Sequence, residues 1–187
     1  VMDIETEAGR LLTIKGLTLS IAESCTGGLL CSRITDVPGS SAYFVGGIIA
    51  YSNKIKMQML GVTQETLDTH GAVSAQAAIQ MARGVKERYG TDIGLGITGI
   101  AGPNSSPSAR ESISGSDGNM QKPVGLVYLS LVSTAECGAA SSAEKVICNK
   151  CKFTGANDAA LQRKDIRIQS TQTILEMLLE YLKQVVL

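Results

Sequence analysis

Leu17-Thr18-Leu19-Ser20-Ile21-Ala22-Glu23-Ser24-Cys25-Thr26-Gly27-Gly28 decides the fold. Leu17 to Ala22 is a short apolar run bounded by a turn signal, the pattern of a buried strand. Leu29 to Ile34 continues as a helix. Ser24 therefore sits where a strand meets a helix, the opening unit of an α/β layer structure. Gly27 and Gly28 let a ligand approach the backbone closely, and backbone N–H groups at a helix start favour negative charge. A hydroxyl nucleophile beside an anion-stabilising turn is what acyl transfer needs. A serine after a strand also serves simply to cap the next helix. These residues alone leave both roles open. The glycine pair does not form a phosphate loop, because the GxxxxGK[ST] pattern is absent.

Working outward, Ile4 to Ile14 carries apolar residues at helical spacing and stops at Gly16. The helix after Ser24 is expected over Thr26 to Val37, ended by Pro38-Gly39-Ser40. Gly46 to Tyr51 predicts a second buried strand. Asn53 is expected to cap a short helix through Leu60, and Gly61 stops it. Thr63 to Thr69 predicts one or two helical turns. Ser74 caps a longer helix over Ala75 to Tyr89. Ile93 to Thr98 predicts a third strand, ended by Gly99-Ile100-Ala101-Gly102-Pro103. Residues 104–122 have almost no apolar content and are expected to form a mobile surface loop. Val124 to Val132 and Lys145 to Phe153 predict a hairpin, and Asp158 to Val186 a strong helix with Ile166, Ile174, Leu175, Leu178, Leu179 and Leu182 on its apolar face. Helices alternate with strands early, and an antiparallel pair comes late. The expected class is α/β, with a mixed sheet between helical layers.

At 187 residues the chain is expected to form one domain. It lacks the run of about 18 apolar residues that a membrane span requires. Asp3, Glu5 and Glu7 argue against a secretory leader. Lys plus Arg and Asp plus Glu both number 17, and aromatics are 4%. Balanced charge and few stacking rings argue against a nucleic-acid or membrane-surface binder. Five cysteines without an export signal predict reduced thiols and a cytoplasmic protein. The apolar content predicts self-association into a homo-oligomer.

Three strand ends carry polar residues: Ser24, then Tyr51-Ser52-Asn53, then Thr98-Gly99. A parallel arrangement gathers such ends on one sheet edge, where α/β active sites lie. Ser24 needs a base. The single histidine, His70, precedes Gly71 in a turn and gives poor support for a Ser-His-Asp triad. Lys54 and Lys56 follow the second strand. A neutral lysine deprotonates serine if burial lowers its pKa, and Lys56, in the first helical turn, has the positive helix end to help keep it neutral. The competing assignment is a solvated surface lysine. Cys25 has no histidine partner and reads as a small buried apolar group. Cys148-Asn149-Lys150-Cys151 has zinc-knuckle spacing without a second pair, so no metal site is expected.

Read in order, AESCTGG, DVPGSSAYF, YSNKIKMQMLGV, HGAVS, GITGIAGP and KPVGLVY resemble the CinA C-terminal domain family, over residues 5 to 185. The resemblance implies a three-layer α/β/α fold. It also implies hydrolysis of the nicotinamide carboxamide of nicotinamide mononucleotide (NMN) to nicotinic acid mononucleotide and ammonia, with no cofactor. By the same resemblance Ser24 matches the nucleophile and Lys56 the base, while Lys54 falls at a variable position. Tyr51 and Thr98 match supporting polar residues. Backbone N–H groups from Thr26 to Gly28 are expected to hold the oxyanion, with Gly99 beside the substrate. The chain looks like a stand-alone form, without the larger N-terminal domain of two-domain relatives.

Two departures from the family pattern matter. The family's short loop is replaced here by the long polar segment 104–122. Its Gly-Asp-Arg motif is missing after Phe153. Arg163-Lys164-Asp165-Ile166-Arg167 resumes the register if about six residues are inserted. Arg163 then becomes the arginine that holds the substrate, at its phosphate; otherwise it is a solvated helix-start residue. Two alternatives to the NMN amidohydrolase remain open: a nucleotide-binding regulatory module with little turnover, and an amidohydrolase for a different amide.

Overall fold

The computed structural model describes residues 3–103, 122–134 and 144–185. The surface loop expected over 104–122 lies, apart from Lys122, outside the described residues. So does Cys137. The described chain runs α1 (Ile4–Lys15), β1 (Leu19–Glu23), α2 (Leu29–Thr35), β2 (Phe44–Ile49), α3 (Asn53–Leu60), α4 (Gln64–His70), α5 (Ala75–Tyr89), β3 (Ile93–Gly99), β4 (Leu126–Ser133), β5 (Lys145–Lys152) and α6 (Ala159–Gln184).

The five strands form one sheet in the order β2-β1-β3-β4-β5. β1 pairs in parallel with both β2 and β3, while β3–β4 and β4–β5 are antiparallel. The mixed sheet lies between two helical layers, so the fold is a three-layer α/β/α sandwich. α1, α2 and α6 cover one face. Their core includes Leu12, Ile34, Ile174 and Leu178 against Leu19, Ile21, Leu95 and Leu129 of the strands. α3, α4 and α5 cover the other, where Leu60, Leu67, Met81 and Val85 pack with Ala22. Alternation along β1 explains the division: Leu19 and Ile21 face the first layer and Ala22 the second. α5 lies close on β3 because Gly94 and Gly96 have no side chain. A Cβ at either would run into the α5 backbone at Ala82 or Ala78.

The expected elements all form, but β2, expected to be buried, is a partly exposed edge strand with Val45 and Ile49 facing solvent, and other elements shift for local causes. α2 starts at Leu29, not Thr26, because Gly27 and Gly28 take φ of 59° and 94°, left-handed values that keep this stretch out of the helix. β2 runs from Phe44 to Ile49, two residues earlier than expected. Its register with β1 ends at Glu23–Ile49, and only the Ala50 N–H continues the ladder, to the Glu23 carbonyl. Ser52, not Asn53, caps α3, its side chain accepting from the Ile55 N–H. On α6, Leu179 is only half-buried, and Tyr181 takes a core place instead. Among the described residues no helix is long and apolar enough to cross a membrane.

The topology places the chemistry. β1 is the first strand, and the chain then builds β2 on one side of it and β3 on the other. The carboxyl ends of these three parallel strands therefore open at a point where the winding direction reverses. Such points form crevices in α/β sheets.

Candidate active site

Ser24 follows β1 directly. Its N–H donates to the Ile97 carbonyl on β3 at 3.0 Å, so the sheet fixes its backbone while its side chain leaves the ladder. Lys56 comes from the first turn of α3 and is 2% exposed. Its Nζ donates to Ser24 Oγ at 3.0 Å and to the Ala50 carbonyl at 2.8 Å. Burial pulls the Lys56 amine down to about 8, partly opposed by the nearby Cys25. A neutral amine accepts the serine proton across the same contact that a charged amine uses as a donor. Of the two lysines after β2, Lys54 faces solvent.

Ser24 and Lys56 lie at the floor of a cleft of about 600 Å³, counting its solvent-open mouth. Tyr51, Asn53, Thr98 and Gly99 line it, together with Ile100 to Gly102 and Arg163. The three strand ends singled out in the sequence therefore do meet. Tyr51 is 63% exposed and its hydroxyl accepts from Arg163 Nη2 at 2.6 Å. It stands on the rim, and Ser24 meets Lys56 directly, without Tyr51 between them. The Thr98 hydroxyl donates to the Ala72 carbonyl at 2.7 Å, not to Ser24 or Lys56, and braces the segment behind the cleft. Gly99 lines the wall because it backs onto Leu126 and Val127, where a Cβ would not fit. His70 is exposed at the end of α4 and is not among the cleft residues. Burial pushes the Cys25 thiol up to about 12, which removes it as a nucleophile near neutral pH.

The turn itself departs from expectation. The Gly27 N–H donates to the Ser24 carbonyl, and the Gly28 N–H donates to the Glu23 carboxylate. Neither remains for an oxyanion. Among the described residues, the N–H groups of Cys25 and Thr26 have no acceptor from another residue, and they follow Ser24 directly in the chain.

Two residues that hold this turn escaped the sequence. Glu23 is fully buried, and its carboxylate accepts from the N–H groups of Gly28, Leu30 and Cys31. It does the capping work for α2 from inside β1, since Gly28 has no side chain to cap with. Arg167, one turn beyond Arg163 on α6, donates to the Thr26 carbonyl through both Nε (3.1 Å) and Nη2 (2.7 Å). The available signal was spacing: residues four apart share a helix face, so an Arg163 near the cleft brings Arg167 along.

The chain matches the CinA C-terminal domain over residues 1–182, and it belongs to that family. A protein of Desulforudis audaxviator named for competence-damage induction is 42% identical over 180 residues, 96% of this chain and 37% of its own length. A CinA-like protein of Chlorobium limicola is 49% identical over 73% of this chain and 29% of its own. This chain thus spans about a third of the length of these relatives. The crystal structure of the competence/damage inducible protein CihA from Agrobacterium tumefaciens is 37% identical, with a TM-score of 0.76 and 98% coverage of both chains.

Proposed function

We propose that this chain hydrolyses the carboxamide of NMN, with Ser24 as nucleophile and Lys56 as general base. The observation that carries the proposal is the 3.0 Å contact between a buried amine brought down to about 8 and a serine hydroxyl at the floor of a cleft. Neutral Lys56 takes the Ser24 proton as Oγ attacks the carboxamide carbon. The new oxyanion lies within reach of the Cys25 and Thr26 N–H groups, the first belonging to the residue after the nucleophile, where acyl-transfer enzymes commonly find a donor. The protonated lysine returns its proton to the departing nitrogen, and ammonia leaves. Water then attacks the acyl-serine ester, with Lys56 again as base, giving nicotinic acid mononucleotide and free Ser24. One water is consumed and one ammonia released per turnover. No step calls for a metal or redox cofactor.

Ammonia release from NMN by the wild type tests the proposal, and its absence would sink it. The pH profile is a further check. Only neutral Lys56 acts as base, so kcat/KM should rise about tenfold per pH unit below about 8 and level off above it. A profile flat from pH 6 to 9 would exclude Lys56 as the base.

Arg163 reaches the cleft rim from the first turns of α6, hydrogen-bonded to Tyr51. There it is suited to hold the phosphate of a nucleotide whose base sits over Ser24. Arg163→Ala should raise KM for NMN about 10- to 100-fold, the worth of one charged hydrogen-bonding partner. KM for the corresponding riboside, which has no phosphate, should not move. Equal losses for both substrates would detach Arg163 from the phosphate.

A further inference from the structure

We infer that Arg167 is a positioning residue for the oxyanion donor, acting on the Cys25 N–H through two peptide groups; this rests on the acyl-transfer assignment above. The guanidinium spends two donors on one acceptor, the Thr26 carbonyl. That carbonyl belongs to the Thr26–Gly27 peptide, whose N–H is the Gly27 N–H. It donates to the Ser24 carbonyl at 3.2 Å. The Ser24 carbonyl in turn belongs to the Ser24–Cys25 peptide, whose N–H, that of Cys25, has no acceptor from another residue among the described residues. In a planar trans peptide C=O and N–H point in opposite directions. Fixing the first carbonyl aims the Gly27 N–H, and fixing the second aims the Cys25 N–H. Each bond also polarises the next. The chain of dipoles starts at a permanent cation and ends at the N–H of the residue that follows Ser24.

The surroundings support this use of Arg167. Gly27 is exposed with φ of 59°, so the turn is not held by packing of its own side chains. A Cβ at Gly27 would come within 3.7 Å of Arg167 Nη2, so the guanidinium lies against the turn. Glu23 engages the Gly28, Leu30 and Cys31 N–H groups on the other side. The turn is held at two points, by an anion on its last N–H groups and, at its middle carbonyl, by the Arg167 cation together with the Leu29 N–H. Among the described residues, the Cys25 and Thr26 N–H groups at the start of the turn have no acceptor from another residue.

Two variants and two readouts test the inference. Arg167→Met removes the donors, and Arg167→Lys keeps one. Arg167→Met should lower kcat for NMN about 10- to 100-fold, somewhat less than the loss of an oxyanion donor itself. KM and the affinity for nicotinic acid mononucleotide should stay within about twofold, as expected for an interaction that matters mainly in the transition state. Arg167→Lys should recover part of that loss, and it carries the test alone if the methionine variant does not fold. The second readout is the rate at which a fluorophosphonate labels Ser24. That reaction forms an Oγ–P bond, releases fluoride and places a phosphoryl oxygen where the oxyanion would sit, and it needs no NMN turnover. Labelling should slow by a similar factor in Arg167→Met.

Unchanged kcat and labelling would overturn the inference. So would a loss confined to KM and product affinity, which would make Arg167 a substrate ligand. A wild type that labels but leaves NMN intact overturns the NMN assignment while the labelling comparison still decides Arg167. A wild type that does neither overturns both.

Discussion

Ser24→Ala should abolish ammonia release from NMN, by about 10⁴-fold or more, while the protein stays folded. Removing a nucleophile from a serine hydrolase typically leaves only the residual catalysis of binding and the oxyanion donors. The side chain is small, and Lys56 keeps its 2.8 Å bond to the Ala50 carbonyl when the Oγ acceptor is gone. The stability change should therefore stay within about 1 kcal/mol, the net worth of one hydrogen bond. The Ser24 backbone is held from β3 by the Ile97 carbonyl and does not depend on the hydroxyl. A thermal melt alongside the ammonia assay separates lost chemistry from lost structure. An alanine variant with more than about a tenth of wild-type turnover would remove Ser24 from the mechanism. It would favour a water nucleophile activated by Lys56.

Ser24 reaches the cleft floor for a reason visible in the sequence. An apolar run feeding a Gly-Gly turn and a helix specifies β1, the turn and α2, and Gly27 and Gly28 do take the left-handed conformations that only glycine adopts readily. That the polar ends at 24, 51–53 and 98–99 share one cleft followed from expecting parallel strands. Lys56 was harder. Residue type and helix position leave it either solvated or buried, and what decides is tertiary. α3 packs on α5, and the amine turns inward to the carbonyl left where β2 ends. The roles of Glu23 and Arg167 were not legible, because both act on backbone groups; spacing from Arg163 places Arg167 on the same helix face but not its bond. A side chain that accepts from three N–H groups, or donates to one carbonyl, has no partner residue type to recognise in a sequence. The same reasoning explains the displaced oxyanion donors. Glycine marks the turn, but which N–H groups remain free depends on the bonds to Glu23 and Ser24.

Lys56→Met should remove turnover and at the same time stabilise the protein near neutral pH. The amine is 2% exposed and titrates near 8 in the fold, against 10.5 for an unperturbed lysine. At pH 7 both the folded and the unfolded chain carry the proton, so the fold bears the full cost of a buried charge. That cost is about 3 kcal/mol at 1.36 kcal/mol per pH unit of difference. Methionine fills similar space without charge. Against this gain stands the Ala50 carbonyl, left without its 2.8 Å donor at a cost of about 1–3 kcal/mol. The net expectation at pH 7 is a gain of about 1 kcal/mol, or a rise in Tm of about 2–4 °C.

The pH dependence fixes the sign independently. Between about 8 and 10.5 the unfolded chain holds one proton more than the folded chain at this residue. Wild-type stability therefore climbs with pH across that window relative to the methionine variant. The advantage of Lys56→Met should shrink above pH 8 and reverse near pH 9, once about 1 kcal/mol of the charge cost is gone; above about pH 10.5 the lost hydrogen bond dominates. Urea midpoints of the two proteins at pH 7, 9 and 10.5 would read this crossing. A variant less stable than wild type by the same margin at all three values would mean that Lys56 is not held as a buried, readily deprotonated amine. The general base would then have to be sought elsewhere in the cleft.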